Sequence, residues 1–172
     1  MKILPLLTVA IALTAVLTAP APAQTAAEAT DTTDGVHSSI GFGVRTGYTG
    51  WNGINQIHFG AHLKVGELFP NVQFTPNIEA GFGDGATIIT LNGDLAYSFT
   101  EFVERPWHLY GGGSLSFNYV KPDDIDSETD LGFSVLIGLE RTFANEHQGL
   151  IEIRIGVMDS PDFKLTFGYT LF

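Results

Sequence analysis

Residues 162–172, DFKLTFGYTLF, alternate between two kinds of side chain up to the last step. The large apolar residues are Phe163, Leu165, Phe167, Tyr169 and Leu171, and the positions between them hold Lys164, Thr166, Gly168 and Thr170. A period of two is typical of a β-strand, because successive side chains point to opposite faces of a sheet. The stretch therefore predicts a strand whose two faces meet different environments.

The same period recurs along the chain between turns rich in Gly, Pro, Asn and Asp. The predicted strands span residues 39–49, 56–66, 72–83, 87–99, 107–119, 130–143, 150–158 and 162–172. No segment has the apolar spacing of an amphipathic helix. The sequence predicts an all-β, eight-stranded antiparallel fold of up-and-down strands.

The two faces of these strands decide which kind of barrel they form. One face carries Ile, Leu, Val and aromatic residues, whereas the other carries Gly, Ser, Thr and charged residues. A soluble barrel would have to enclose the whole apolar face, but eight strands surround only a narrow interior. With the apolar face against lipid, the same residues fit a closed transmembrane β-barrel, in which every backbone group is paired.

Aromatic residues near the strand ends support this prediction. An even number of strands places both termini on one side, taken as the periplasm. Two aromatic girdles are then expected, one of Phe99, Phe102, Trp107, Phe143 and Phe172 and the other of Tyr48, Trp51, Phe82, Phe117, Tyr119 and Phe163.

The N-terminal segment predicts export. Residues 1–23 combine Lys2, an apolar run and small residues at Ala21 and Ala23, which is the pattern of a signal peptide with Gln24 as the mature start. Residues 24–38 are small, polar and acidic, and indicate a flexible periplasmic lead-in before a barrel over 39–172. The chain has no cysteine, so disulfides do not stabilise it.

The charge excludes one class of partner. The chain has 19 acidic residues against 8 Lys and Arg, for a formal net charge of −11. Nucleic acid demands a basic surface for its phosphates, so we expect no nucleic-acid binding.

Three glycine-rich stretches, HLYGGGSLSFNY (108–119), LGFSVLIGLERTF (131–143) and LTFGYTLF (165–172), resemble the opacity-protein-like or porin-family β-barrels of Gram-negative outer membranes. The resemblance implies insertion by the barrel-assembly machinery and contact with outer-membrane lipid and lipopolysaccharide. It also implies an assembly signal in the last strand: Phe167, Tyr169, Leu171 and Phe172. Phe172 departs from that pattern because it has the parity of Thr170, so either one residue follows the signal or a bulge shifts the register.

Charges of both signs, four of each, fall on the polar face. They are Arg45, Lys64, Arg154 and Lys164 with Glu79, Asp94, Glu140 and Glu152. An unpaired charge in a narrow lumen is costly, so this equality predicts a network of ion pairs that plugs the lumen and leaves no open channel.

Other candidate sites give weaker signals. Glu140 and Glu152 on neighbouring strands could form an acid/base pair, but acceptance of bonds from Lys64 or Arg154 is the preferred interpretation. His58 and His62 are four residues apart on a strand, more than about 12 Å, which is too far for one metal ion. The acidic loop 120–130 could bind Ca²⁺, but it lacks the EF-hand pattern and is interpreted as a solvated loop. No cofactor or metal is predicted.

The sequence predicts a non-enzymatic role. His108 with Ser114 and Ser116 is the nearest grouping to a hydrolase set, but His108 and Ser116 belong to opposite rims. We expect a monomeric barrel with a structural or surface-interaction role. The alternatives are a porin-like transporter of small solutes or hydrophobic compounds, a lipid A-modifying enzyme, or a soluble exported barrel.

Overall fold

The computed structural model describes residues 40–99, 101–122 and 126–172. The predicted signal peptide (1–23) and lead-in (24–38) lie outside the described residues, as do residues 123–125 of the acidic loop. Among the described residues, no helix has the length and hydropathy that a bilayer crossing requires.

The described part of the chain is all β. Its strands are β1 (Gly41–Trp51), β2 (Ile54–Lys64), β3 (Gly66–Phe69), β4 (Val72–Gly83), β5 (Ala86–Phe99), β6 (Trp107–Pro122), β7 (Glu128–Thr142), β8 (Gln148–Met158) and β9 (Phe163–Leu171).

These strands form one closed barrel. Apart from β2 and β3, neighbours along the chain pair antiparallel. β1 pairs with both β2 and β9, and the pairing of β2 with β4 completes the ring. The short β3 continues β2 beyond Val65 and pairs with β4 as well, so β2 and β3 together occupy one barrel position. The predicted eight-stranded antiparallel up-and-down transmembrane barrel is therefore confirmed.

Two of the turns at the rim away from the termini are tight hairpins. Asn52 and Gly53 link β1 to β2, Asp84 and Gly85 link β4 to β5, and all of these residues have positive φ. Positive φ at both central residues is the type I′ geometry, which suits the twist of a two-residue hairpin. The strands are thus connected there with little chain outside the barrel.

The distribution of polarity is the reverse of that in a soluble protein. On β2, Phe59 is 57% exposed and its neighbour His58 is 1% exposed. Large exposed apolar residues occur on every strand, whereas the most deeply buried side chains are polar: His58, His62, Asn118, Thr166, Thr170, Ser114, Ser116 and Ser134. The outer face suits lipid, and the polar groups fill the lumen.

Candidate functional site

The lumen holds a chain of ion pairs contributed by five strands. Near its centre, Glu79 of β4 accepts a hydrogen bond from Arg45 Nη1 of β1 at 3.2 Å and contacts Lys164 Nζ of β9. The three side chains are at most 4% exposed. Charges this deeply buried are tolerated when each has a partner.

A second group lies on the β5–β8 side of the lumen. Arg154 Nη2 donates to Asp94 Oδ2 at 2.7 Å and to Glu152 Oε1 at 2.8 Å, and Arg154 Nη1 donates to Ser114 Oγ at 2.9 Å. Arg45 Nη1 lies 3.8 Å from Asp94 Oδ2, which joins the two groups. Three cations and three anions therefore form one continuous network.

The remaining pair lies nearer the rim that carries the termini. Lys64 Nζ contacts Glu140 and also donates to Gln148 Oε1 at 2.7 Å. Glu140 and Glu152 therefore engage different cations. The Tyr110 hydroxyl donates to Glu152 Oε2 at 3.1 Å, which occupies the oxygen that Arg154 does not use.

Amide side chains extend the network along β4 and β5. Asn92 Nδ2 donates to Asn77 Oδ1 at 2.7 Å, and Asn77 Nδ2 donates to Asp94 Oδ2 at 2.8 Å. Asn77 and Asn92 are directly paired residues on neighbouring strands. The ion-pair network predicted from the sequence did not include these amides; their inward parity was the available signal.

The two buried histidines are held by threonines. His58 Nδ1 lies 2.8 Å from Thr49 Oγ1 and His58 Nε2 lies 3.2 Å from Thr166 Oγ1, while His62 Nε2 lies 2.8 Å from Thr170 Oγ1. Within the described residues, no group of His, Asp and Glu is arranged to hold a metal ion. Both rings contribute to the packing of the lumen.

The lumen also contains apolar side chains that polarity alone did not assign to it. Trp51, Ile88, Leu136 and Leu150 are between 4% and 8% exposed. The expectation that Trp51 belongs to a lipid-facing girdle is wrong, because Trp51 has the same inward parity as Thr49. Position in the alternation, rather than polarity, decides on which side these residues lie.

The turn between β8 and β9 folds into the barrel mouth at the rim away from the termini. Ser160 and Pro161 are buried, and Asn118 Nδ2 of β6 donates to the Asp159 carbonyl at 2.8 Å. Asp162 Oδ2 accepts from the backbone N–H of Asn52 at 2.8 Å, which ties this turn to the β1–β2 hairpin. A Cβ at Gly156 would lie 2.5 Å from the Pro161 carbonyl oxygen, so glycine permits the close approach.

The cavities beside the lumen charges are small. A cavity of about 20 Å³ is lined by Arg45, Asp94, Tyr110, Glu140 and Glu152 among others. A second cavity of about 10 Å³ lies beside His58, Lys164 and Pro161. A single water needs at least about 10–15 Å³ on this measure, so neither space holds more than one or two waters.

The last strand is regular to its end. β9 pairs with β1 from Phe163 to Leu171 without a register shift, so no bulge lies within it. Leu171 is 46% exposed on the lipid-facing side. Phe172 follows the strand, and its ring lies over Gly41, where an added Cβ would come within 2.6 Å of it.

The described turns at the rim away from the termini are acidic. Asp84, Asp126, Asp159 and Asp162 lie in or beside these turns, and Glu128 and Asp130 follow at the start of β7. Asp123 and Asp124 of the acidic loop 120–130 lie outside the described residues.

The His–Ser grouping considered from the sequence does not come together. Ser114 accepts a hydrogen bond from Arg154 and lies six residues along β6 from His108.

No family model and no curated protein matches the sequence. Solved structures do match: Neisserial surface protein A has a TM-score of 0.59 at 14% identity, over 77% of this chain and 94% of that one. The N-terminal β-barrel domain of Pseudomonas aeruginosa OprF has a TM-score of 0.54 at 12% identity, over 76% of this chain and 95% of that one. The chain therefore has the fold of the small eight-stranded outer-membrane β-barrels.

Proposed function

We propose that this protein is an outer-membrane β-barrel with a structural or surface-interaction role in the Gram-negative envelope, and that its lumen conducts no solute. The filled lumen is the observation that carries the proposal. The ion-pair network crosses the interior, the Asp159–Asp162 turn enters one mouth, and the cavities beside these charges measure only about 20 and 10 Å³. A hydrated ion needs a continuous path that these contacts interrupt.

The proposed location is supported by the exposed apolar face, which requires lipid, and by the signal-peptide pattern of residues 1–23. Both chain ends of the barrel lie at one rim, which we assign to the periplasm. The opposite, acidic rim then faces lipopolysaccharide, whose phosphates it would approach through divalent cations in solution. The proposed partners are therefore outer-membrane lipid and lipopolysaccharide.

Assembly is proposed to follow the opacity-protein-like pattern, with the barrel-insertion machinery recognising the lipid-facing residues Phe167, Tyr169 and Leu171. The regular pairing of β9 up to Leu171 supports this assignment, because the apolar alternation stays intact to that residue. Phe172 is proposed to cover Gly41 beyond the last β1–β9 pair, which Leu171 forms. Closure of the ring by the pairing of β2 with β4 leaves no strand with an unpaired neighbour position, which is consistent with a monomer.

Location is tested by membrane fractionation and by gel electrophoresis with and without boiling. We expect the protein in the outer-membrane fraction, with a migration that changes on heating because a closed barrel resists detergent. Recovery in the soluble periplasm without a heat-dependent shift would refute the location and would favour a soluble barrel.

The absence of an open channel is tested by single-channel recording on the folded protein in planar bilayers. We expect no conductance steps above the bare bilayer, while a channel-forming peptide added afterwards shows that the membrane reports pores. Reproducible steps from the protein alone would overturn the closed lumen and would favour the porin-like transporter.

The proposal includes no catalysis. Glu140, Glu152 and His58 are each engaged by neighbouring side chains inside the barrel, where a lipid substrate has no access. Mass spectrometry of lipid A from cells with and without the protein tests this point directly. A change in acylation that depends on the protein would identify it as a lipid A-modifying enzyme.

A further inference from the structure

Arg141, at the end of β7, is set among aromatic rings on the lipid-facing side. Its guanidinium carbon lies 5.4 Å from the centre of the Trp107 ring and 5.6 Å from that of Phe143. Trp107 is the residue directly paired with Arg141 on β6. Contacts of this kind hold the guanidinium group against the ring faces by cation–π attraction.

The aromatic cluster that begins with Trp107 and Phe143 continues across β8 to β9. Gly149 lies between Arg141 and Tyr169 in the register of the sheet, and it contributes no side chain to that row. The Phe143 ring lies 5.9 Å from the Tyr169 ring across this gap, and the His147 ring lies 5.5 Å from Tyr169 on another side. Arg141 thereby packs against two rings, Trp107 and Phe143, and Phe143 connects them to Tyr169 and, through it, to His147 at the rim that carries the chain ends.

Arg141 differs from the four lumen cations because it has no counter-ion. Within the described residues no carboxylate lies within ion-pair distance of it, and its Nε is shielded without a hydrogen-bond partner. The charge is therefore presented through its two terminal nitrogens.

His147 adds a polar ring next to Tyr169 in this aromatic cluster. Its Nδ1 lies 3.1 Å from Asn145 Nδ2 and 2.9 Å from the Tyr169 hydroxyl. Because an amide nitrogen only donates, Nδ1 accepts in the contact with Asn145, which leaves Nε2 as the donor of the ring. Nε2–H is then oriented away from Asn145 and Tyr169.

We propose that Trp107, Arg141, Phe143, His147 and Tyr169 form a binding site for the phosphate of a phospholipid with net negative charge, in the periplasmic leaflet. The leaflet rests on the orientation given under the proposed function. Arginine matches a phosphate through paired N–H donors, and the aromatic rings suit the boundary between headgroup and acyl chain. The unbalanced charge of Arg141 favours an anionic lipid over a zwitterionic one.

The test is native mass spectrometry of the folded protein in detergent, titrated separately with phosphatidylglycerol, phosphatidylethanolamine and lipid A. Arg141→Gln removes the charge, and Arg105→Gln removes an exposed charge from the neighbouring turn as the matched control. Heat-dependent gel migration checks that each variant is folded.

We expect phosphatidylglycerol to bind the native protein about tenfold more tightly than phosphatidylethanolamine, because both lipids carry the phosphate but the ammonium group of phosphatidylethanolamine is repelled by Arg141. Arg141→Gln should abolish this preference and Arg105→Gln should retain it. Equal phosphatidylglycerol binding by the native protein and Arg141→Gln would overturn the site, and Arg141-dependent binding of lipid A alone would overturn the leaflet. Binding in detergent does not depend on location in the cell, so failure in fractionation remains a separate result.

Discussion

Replacing Glu79 by Gln removes the anion that two buried cations share. Glu79 binds Arg45 at 3.2 Å and contacts Lys164, and the three side chains are at most 4% exposed. Arg45 retains Asp94 at 3.8 Å, whereas Lys164 has no other ion-pair partner among the described residues. Breaking a buried pair from one side costs about 3–5 kcal/mol, so we expect the free energy of unfolding to fall by about that amount.

The assay is urea unfolding of the barrel in lipid vesicles, followed by the fluorescence of its two tryptophans, Trp51 and Trp107. Lys164→Met and the double variant Glu79→Gln/Lys164→Met complete a double-mutant cycle. The double variant should recover about 1–3 kcal/mol relative to the sum of the single variants, because it leaves no cation stranded. Additive effects, or a loss below about 0.5 kcal/mol for Glu79→Gln, would show that the network does not stabilise the barrel.

Three further predictions concern the extent of the lipid-facing belt, the need for glycine at a close backbone contact, and the position of the assembly signal. Ile137→Arg, at mid-membrane on β7, should destabilise by about 2–4 kcal/mol, whereas Thr129→Arg on the same face near the rim should cost at most about 1 kcal/mol; similar values would contradict the assigned lipid belt. Gly112→Ala should destabilise more than Gly93→Ala in the same unfolding assay, because the added Cβ would lie 1.9 Å from the Leu95 carbonyl oxygen in the first case and 3.5 Å from the Phe74 ring in the second. Deletion of Phe172 should leave the yield of heat-modifiable barrel nearly unchanged while Leu171→Ser lowers it, and the opposite order would assign the assembly signal to the last residue.

The strands and their faces were predictable because lipid and lumen impose opposite polarities on alternate residues. In DFKLTFGYTLF each apolar position is more exposed than its polar neighbours Lys164, Thr166 and Thr170. Where the alternation conflicts with polarity, as at Ile88 and Leu136, the parity of the strand decides and the side chain is buried. Assigning faces by polarity therefore omitted these residues.

The pairing of the lumen charges could not be derived from the sequence. Glu79 and Lys164 lie on β4 and β9, which are not neighbours in the sheet, so their contact crosses the lumen and depends on the stagger of the whole ring. The inward fold of the β8–β9 turn could not be predicted either. The sequence DSP at residues 159–161 indicates that the chain reverses there, but not whether the turn enters the lumen or points away from it. The alternation of residues determines where strands form, whereas contacts across the lumen depend on how the whole barrel closes.

Among the registers of β1 and β9 that keep the same residues facing lipid, the lumen network favours one. A slip of two residues between β1 and β9 would keep Phe163, Leu165 and Phe167 on the lipid-facing side, because the parity of the strand is unchanged. The same slip would move Lys164 by about 7 Å relative to Arg45, away from the carboxylate that they share. Burial against lipid therefore selects the face of each strand, while pairing of buried charges selects its position along the neighbouring strand.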